Sequence, residues 1–327
     1  MKKAAVLGTL FFLICLSLGY PAVSRYQPGP PQMSDAVQYA DVVKRGAPAM
    51  SGGHWRYRVL VPYLAKPVWS LTRDHVGSWD AVSFSLLVVN SAFCALTALL
   101  LADWLGGGTP GLVAALLFLV QFNVSNFYLS GLVDSAEVFF MTLTATTLRH
   151  RKWSMLPVVA VAGAFARETF VPLMALLAGG WFLGLSWSER RISQAFSVGV
   201  AAVAGFFALA VIRMLVDGHM VWPWQIASDD GSFSMVLPHA KNLLGRPILY
   251  TFIWLGPLGL MGMKYVDRRW AVGSIVAFAG ATFLAAWGNA GDNVGRPLFS
   301  AAGPFLVCAS ALWLIRWLGN GNASRSR

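Results

Sequence analysis

The residues best able to do chemistry are charges set in apolar surroundings: Asp35, His54, Arg56, Arg58, Asp134, Glu137, Arg167, Glu168, Asp292 and Arg296. Asp35 follows Ser34, a good helix N-cap, in Ser34-Asp35-Ala36-Val37-Gln38-Tyr39. It reads either as an acid complementing a helix dipole or as a carboxylate that takes a proton from an incoming hydroxyl. His54-Trp55-Arg56-Tyr57-Arg58 opens an aromatic and basic stretch that continues to about Leu71. An interfacial helix with snorkelling arginines explains its location. It does not explain two arginines bracketing a tyrosine, and guanidinium forks suit phosphate oxygens. Asp134 and Glu137 lie three residues apart, on one helical face. They are either dipole-complementing acids or a pair that tethers an acceptor or a metal. An ionised acid near membrane depth is costly unless it lines a polar cavity.

Arg167-Glu168 interrupts an otherwise apolar stretch of 35 residues from Trp153 to Trp187. Neighbours on a helix point about 100° apart, so each side chain is expected to seek its own partner across the bundle. The two serve either as glue between helices or as part of a polar site reached by a short re-entrant hairpin. Asp292 and Arg296 close the turn Gly288-Asn289-Ala290-Gly291-Asp292-Asn293-Val294-Gly295-Arg296-Pro297, whose glycines free the backbone to approach a ligand. Arg296 could instead snorkel to the membrane interface.

These residues need elements to position them, and the composition decides which. The chain has 327 residues, 57% hydrophobic and 12% charged, with a net charge of +11. Soluble chains carry about 25% charged residues, so a soluble enzyme is excluded, as are disordered, collagen-like and disulfide-rich classes. Apolar stretches of about 20 residues match the ~30 Å hydrocarbon core. They predict an all-α polytopic membrane protein, a single transmembrane domain over 1–327 with about ten spans. The spans fall near 4–22, 79–102, 110–130, 135–148, a hairpin of two within 153–187, 195–216, 248–263, 270–287 and 298–317. The opening Lys2-Lys3 and apolar run resemble a secretory signal but read as an uncleaved first span.

Basic clusters at Lys2-Lys3, Arg149-His150-Arg151-Lys152, Arg190-Arg191 and Lys264 to Arg269 mark cytoplasmic turns, with both termini inside. The first extracytoplasmic loop, 24–78, carries amphipathic helices, one of them interfacial. The second, 217–247, holds Trp222-Pro223-Trp224, Asp229-Asp230, His239 and Lys241, and either lids a site or rests on headgroups. With this topology every candidate site residue falls on the outer side of the plasma (inner) membrane, although acids hardly enter the orientation. Basic residues scattered between spans form no nucleic-acid face. Cys15, Cys94 and Cys308 lie inside apolar segments, without metal-ligand spacing, as small core residues. The chain has no Walker motif, dinucleotide fingerprint, His-Glu-x-x-His or Gly-x-Ser-x-Gly, which argues against nucleotide-driven transport.

An acid after the first span, an aromatic-basic interfacial helix, an acid opening a middle span and an Arg-Glu hairpin together resemble the GT-C superfamily of integral-membrane glycosyltransferases. The resemblance is best over residues 1–190. It implies transfer of a sugar from a polyprenyl-phosphate carrier to a glycan, lipid or protein hydroxyl, with inversion. It implies Asp35 as catalytic base and Arg56, Arg58 and Arg296 on the carrier phosphate; no cofactor is required, and a divalent metal is allowed but not forced. Two features depart from the pattern: Asp41 is off the face of Asp35, so the first loop lacks a paired acid, and no soluble C-terminal domain follows the last span. A transporter or flippase of a lipid-linked saccharide, or a non-catalytic envelope-assembly scaffold, are the alternatives; the flippase would be expected to show polar residues on both sides of the midplane and an internal repeat.

Overall fold

The computed structural model describes residues 2–25, 34–47, 54–77, 79–220, 236, 238–239, 246–287 and 295–325. Helices make up the described chain: α1 (Lys2–Arg25), α2 (Ser34–Arg45), α3 (Leu60–Thr72), α4 (Ala81–Trp104), α5 (Gly108–Leu119), α6 (Phe122–Asn126), α7 (Asp134–Arg149), α8 (Leu156–Ala164) and α9 (Phe170–Gly184). They continue as α10 (Ile192–Asp217), α11 (Arg246–Phe252), α12 (Leu255–Gly262), α13 (Arg268–Trp287) and α14 (Gly295–Arg325). No strand occurs among the described residues.

Among the described residues five helices are long and apolar enough to cross a membrane: Lys3–Pro21, Ala81–Trp104, Ile192–Asp217, Arg268–Trp287 and Gly295–Gly319. A sixth results if Gly108–Leu119 and Phe122–Ser130, bent by 44°, act as one span. The bend falls at Gln121, whose carboxamide caps α6 by accepting from the Asn123 amide at 2.6 Å and donates to the Thr251 carbonyl at 2.9 Å. The protein is therefore a helical chain suited to a lipid bilayer, with helices in each stretch expected to span.

The remaining apolar helices are shorter for identifiable reasons. The apolar stretch around Arg167-Glu168 yields two shorter apolar helices, Trp153–Ala164 and Phe170–Gly184. At 1.5 Å per residue these reach only about 18 and 22 Å, short of the ~30 Å core. The charged pair sits at the break, where Ala166 and Arg167 both donate to the Gly163 carbonyl, at 2.9 and 3.3 Å. Gly163 permits the reversal, because the Phe170 ring occupies the place a Cβ would take.

Small residues let the backbones pack closely, as expected where lipid supplies no hydrophobic drive between helices. A Cβ on Gly180 of α9 would lie 2.8 Å from the Gly273 Cα of α13. The first helix packs on α4, with Leu87 against Gly19. Cys15, Cys94 and Cys308 are buried, as the sequence suggested. Ion pairs and hydrogen bonds then segregate to two ends of the bundle: one holds the start of α7 and the α8–α9 break, the other the end of α7 and the starts of α10 and α13.

Candidate functional site

The first of these ends is assembled from five separate parts of the chain. Leu60 donates its amide to the Phe165 carbonyl at 2.9 Å, which ties the start of α3 to the α8–α9 break. That tie brings Arg58 onto Glu168: its Nε donates to Oε2 at 2.9 Å, and its Nη2 reaches the other carboxylate oxygen. Its third donor group, Nη1, meets the Tyr39 hydroxyl at 2.9 Å. Tyr39 lies one helical turn beyond Asp35 on α2, so both face this end of the bundle. Burial disfavours the Arg58 cation, but Glu168 more than compensates and holds its pKa well above the usual value.

Beside this pair lies a buried network. Arg167 pairs with Asp134 and, at 3.3 Å, with Glu137. Arg296, at the start of α14, donates to the other Asp134 oxygen at 2.9 Å and to Asp35 at 3.4 Å. Glu137 also accepts from the hydroxyls of Thr169 and, at 3.0 Å, Ser300. The Nε–H groups of Arg167 and Arg296 are buried without an acceptor among the described residues. Buried donors are ordinarily satisfied, so two cationic N–H groups stand ready for an oxygen ligand.

Exposure divides the network into a floor and a rim. The side chains of Asp134 and Glu137 are fully buried, and those of Arg296 and Arg167 are 3% and 8% exposed. Asp35 and Glu168 are 30% and 24% exposed and form the rim. A neighbouring cluster carries Arg56, 2.7 Å from Asp217, which accepts the Tyr57 hydroxyl at 2.7 Å. Arg213 stacks on the Tyr57 ring, 4.8 Å from its centre.

Five of the sequence-selected residues thus join one network, Asp35, Asp134, Glu137, Arg167 and Arg296, and Arg58 and Glu168 form the pair beside it. Arg167 and Glu168 do take separate partners. Arg56 belongs to the adjacent cluster, the His54 backbone enters a 3-10 turn with Tyr57, and Asp292 lies outside the described residues. Both of the arginines expected to face a lipid phosphate already hold a carboxylate, Arg56 that of Asp217 and Arg58 that of Glu168. Burying a guanidinium as deeply as that of Arg58 is costly unless a counter-ion accompanies it. Asp41 pairs with Arg45 at 2.7 Å and stays outside the network. Most of the 217–247 loop, with its aromatic and acidic residues, lies outside the described residues.

The sequence reading passed over Tyr39, Thr169, Arg213, Asp217 and Ser300. Arg213 carried a usable signal, a charge deep within an apolar run. The hydroxyls carried none, because nothing local distinguishes Ser300 from other serines in apolar helices. No group of three or more His, Cys, Asp or Glu able to hold a metal occurs among the described residues. No protein-family model matches this chain, and no curated protein matches it either.

Proposed function

We propose that this end of the bundle is the active site of a membrane glycosyltransferase that takes its sugar from a polyprenyl-phosphate carrier. One observation carries the reading. Of the four carboxylates Asp35, Asp134, Glu137 and Glu168, all but Asp35 lie within 3.3 Å of a guanidinium. Asp35 is the most exposed of the four, and its contact to Arg296 is the longest in the network, at 3.4 Å. It is the carboxylate free to accept a proton.

In the proposed reaction an acceptor hydroxyl gives its proton to Asp35 as its oxygen attacks the anomeric carbon. The bond from that carbon to the carrier phosphate breaks, and the phosphate leaves with the electron pair. Arg296 and Arg167, each with an unused Nε–H, supply fixed positive charge for the developing anion. Arg56, 21% exposed, is the most accessible of the candidate phosphate ligands; Arg58 acts as a strut. The ten-span topology, the inner-membrane location with the site outside, and cytoplasmic termini belong to the same proposal. The positive-inside distribution supports them.

The test is Asp35→Asn in detergent-solubilised protein supplied with polyprenyl-phosphate sugars and a hydroxyl acceptor. Normal folding with transfer lowered at least about a hundredfold is expected, the usual contribution of a general base. Unchanged transfer removes Asp35 from the role. Sugar transfer in solubilised protein also separates an enzyme from a flippase, whose activity requires two compartments.

A further inference from the structure

At the far end of α7, about 22 Å along the helix from Asp134 at 1.5 Å per residue, lies a polar cavity of about 420 Å³. Arg151, Arg191 and Arg269 line it with a single carboxylate, Glu189, and with hydroxyls that include Ser193 and Ser197. Glu189 is already shared, 3.1 Å from Arg151 and 3.7 Å from Arg269. Asp267 takes a second side of Arg269 at 2.7 Å, and no carboxylate stands within ion-pair range of Arg191 among the described residues. The cavity therefore keeps excess positive charge beside the hydroxyls of Ser154 and Ser193, while Ser197 donates to the Ser193 carbonyl at 2.8 Å; guanidiniums with nearby hydroxyls are the chemistry that binds a phosphate.

The same helix carries the second half of the site. An apolar groove of about 550 Å³ runs along α10, lined by Phe196, Val200, Val203, Ala204 and Phe207 around Gly199. Ser193, Ser197, Val200 and Ala204 follow at spacings of four, three and four, so one face of α10 passes from the polar cavity into the groove. Phe196 and Val203 are each 71% exposed, and open space surrounds the position of a Cβ on Gly199. Trp187, 85% exposed beside Arg190, stands where an aromatic marks the headgroup level.

We infer that this cavity and groove bind one anionic phospholipid, its phosphate among Arg151, Arg191 and Arg269 and an acyl chain along α10. Free phosphate would use the cavity and leave the groove empty. A zwitterionic lipid would bring its own cation to a lining already positive. The site stands apart from the proposed transferase centre and does not depend on it.

Native mass spectrometry of protein taken from mixed micelles with equal phosphatidylglycerol and phosphatidylcholine reads the inference directly. Wild type is expected to retain phosphatidylglycerol about tenfold over phosphatidylcholine, and Arg151→Gln/Arg191→Gln to abolish that preference. Gly199→Trp, which fills the groove, is expected to lower phosphatidylglycerol retention in folded protein. Equal retention of the two lipids by wild type overturns the inference, whatever the variants do. So does a preference that survives the arginine substitutions in folded protein. Inorganic phosphate is the third arm. Phosphate-induced thermal stabilisation that survives Gly199→Trp, without phosphatidylglycerol retention, identifies a phosphate pocket and rejects the lipid.

Discussion

Removing Arg167 tests whether the buried charges act as one coupled unit. Arg167→Met takes away the guanidinium paired with Glu137 and one of the two that hold Asp134. Asp134 retains Arg296, but Glu137 is left fully buried with only the hydroxyls of Thr169 and Ser300. Stranding one buried charge costs about 3–5 kcal/mol. Glu137→Gln should cost less, about 1–3 kcal/mol, because Arg167 keeps Asp134 and a hydrogen-bonding side chain remains. In the double variant the stranded carboxylate is gone, so the two losses should fall short of their sum by about 1–3 kcal/mol. Arg45→Gln is the control. Its pair with Asp41 is an exposed i,i+4 bridge, with the arginine 59% exposed, and should matter by less than about 0.5 kcal/mol. Reversible unfolding in mixed micelles, followed by helical circular dichroism, gives all four values. If Arg167→Met falls within about 0.5 kcal/mol of wild type, below the cost of any stranded buried charge, or if the double variant equals the sum of the singles, the coupled network is refuted.

Three further outcomes follow from local geometry. Arg58→Lys keeps the charge but loses the fork on Glu168 and the donor to Tyr39, and should destabilise by about 1.5–3 kcal/mol in the same assay; equal stability would show the fork to be idle. Gly262→Ala drives a Cβ into the Ala309 backbone, whereas Gly199→Ala meets open space. The first should lose about 1–3 kcal/mol and the second less than about 0.5 kcal/mol, and the reverse order would contradict the α12–α14 packing. Burial, followed by the hydrogen bond to Asp217, raises the Tyr57 phenol above its usual value, with Arg56 opposing. The neutral phenol is favoured in the folded state, so its contribution is complete below about pH 10 and is lost as pH climbs through the raised value. Tyrosinate absorbance compared between wild type and Tyr57→Phe should show this group titrating late; titration at the ordinary position would contradict its burial beside Asp217.

Much of the architecture was legible in the sequence because hydropathy and charge act over short distances. The apolar runs became helices, the break in the 35-residue apolar stretch fell at Arg167-Glu168, and α2 began at Ser34. Asp134 and Glu137 opened α7, as their spacing on one face required. Helix lengths were less legible. Gln121 bends one stretch through a hydrogen bond to Thr251, 130 residues away, which no local window contains.

The types of the site residues were also readable, since a charge inside an apolar run must find a partner or water. Their partners were not. Asp35 meets Arg296 across 261 residues and Arg58 meets Glu168 across 110, contacts that depend on how α2, α3, the α8–α9 break and α14 pack together. Packing also decided which groups face outward. It buried Arg58 as a strut, gave Arg56 to Asp217, and left Asp35 at the rim over a closed floor. Local sequence sets the desolvation each ion must overcome, whereas only the assembled bundle supplies the counter-charge that overcomes it.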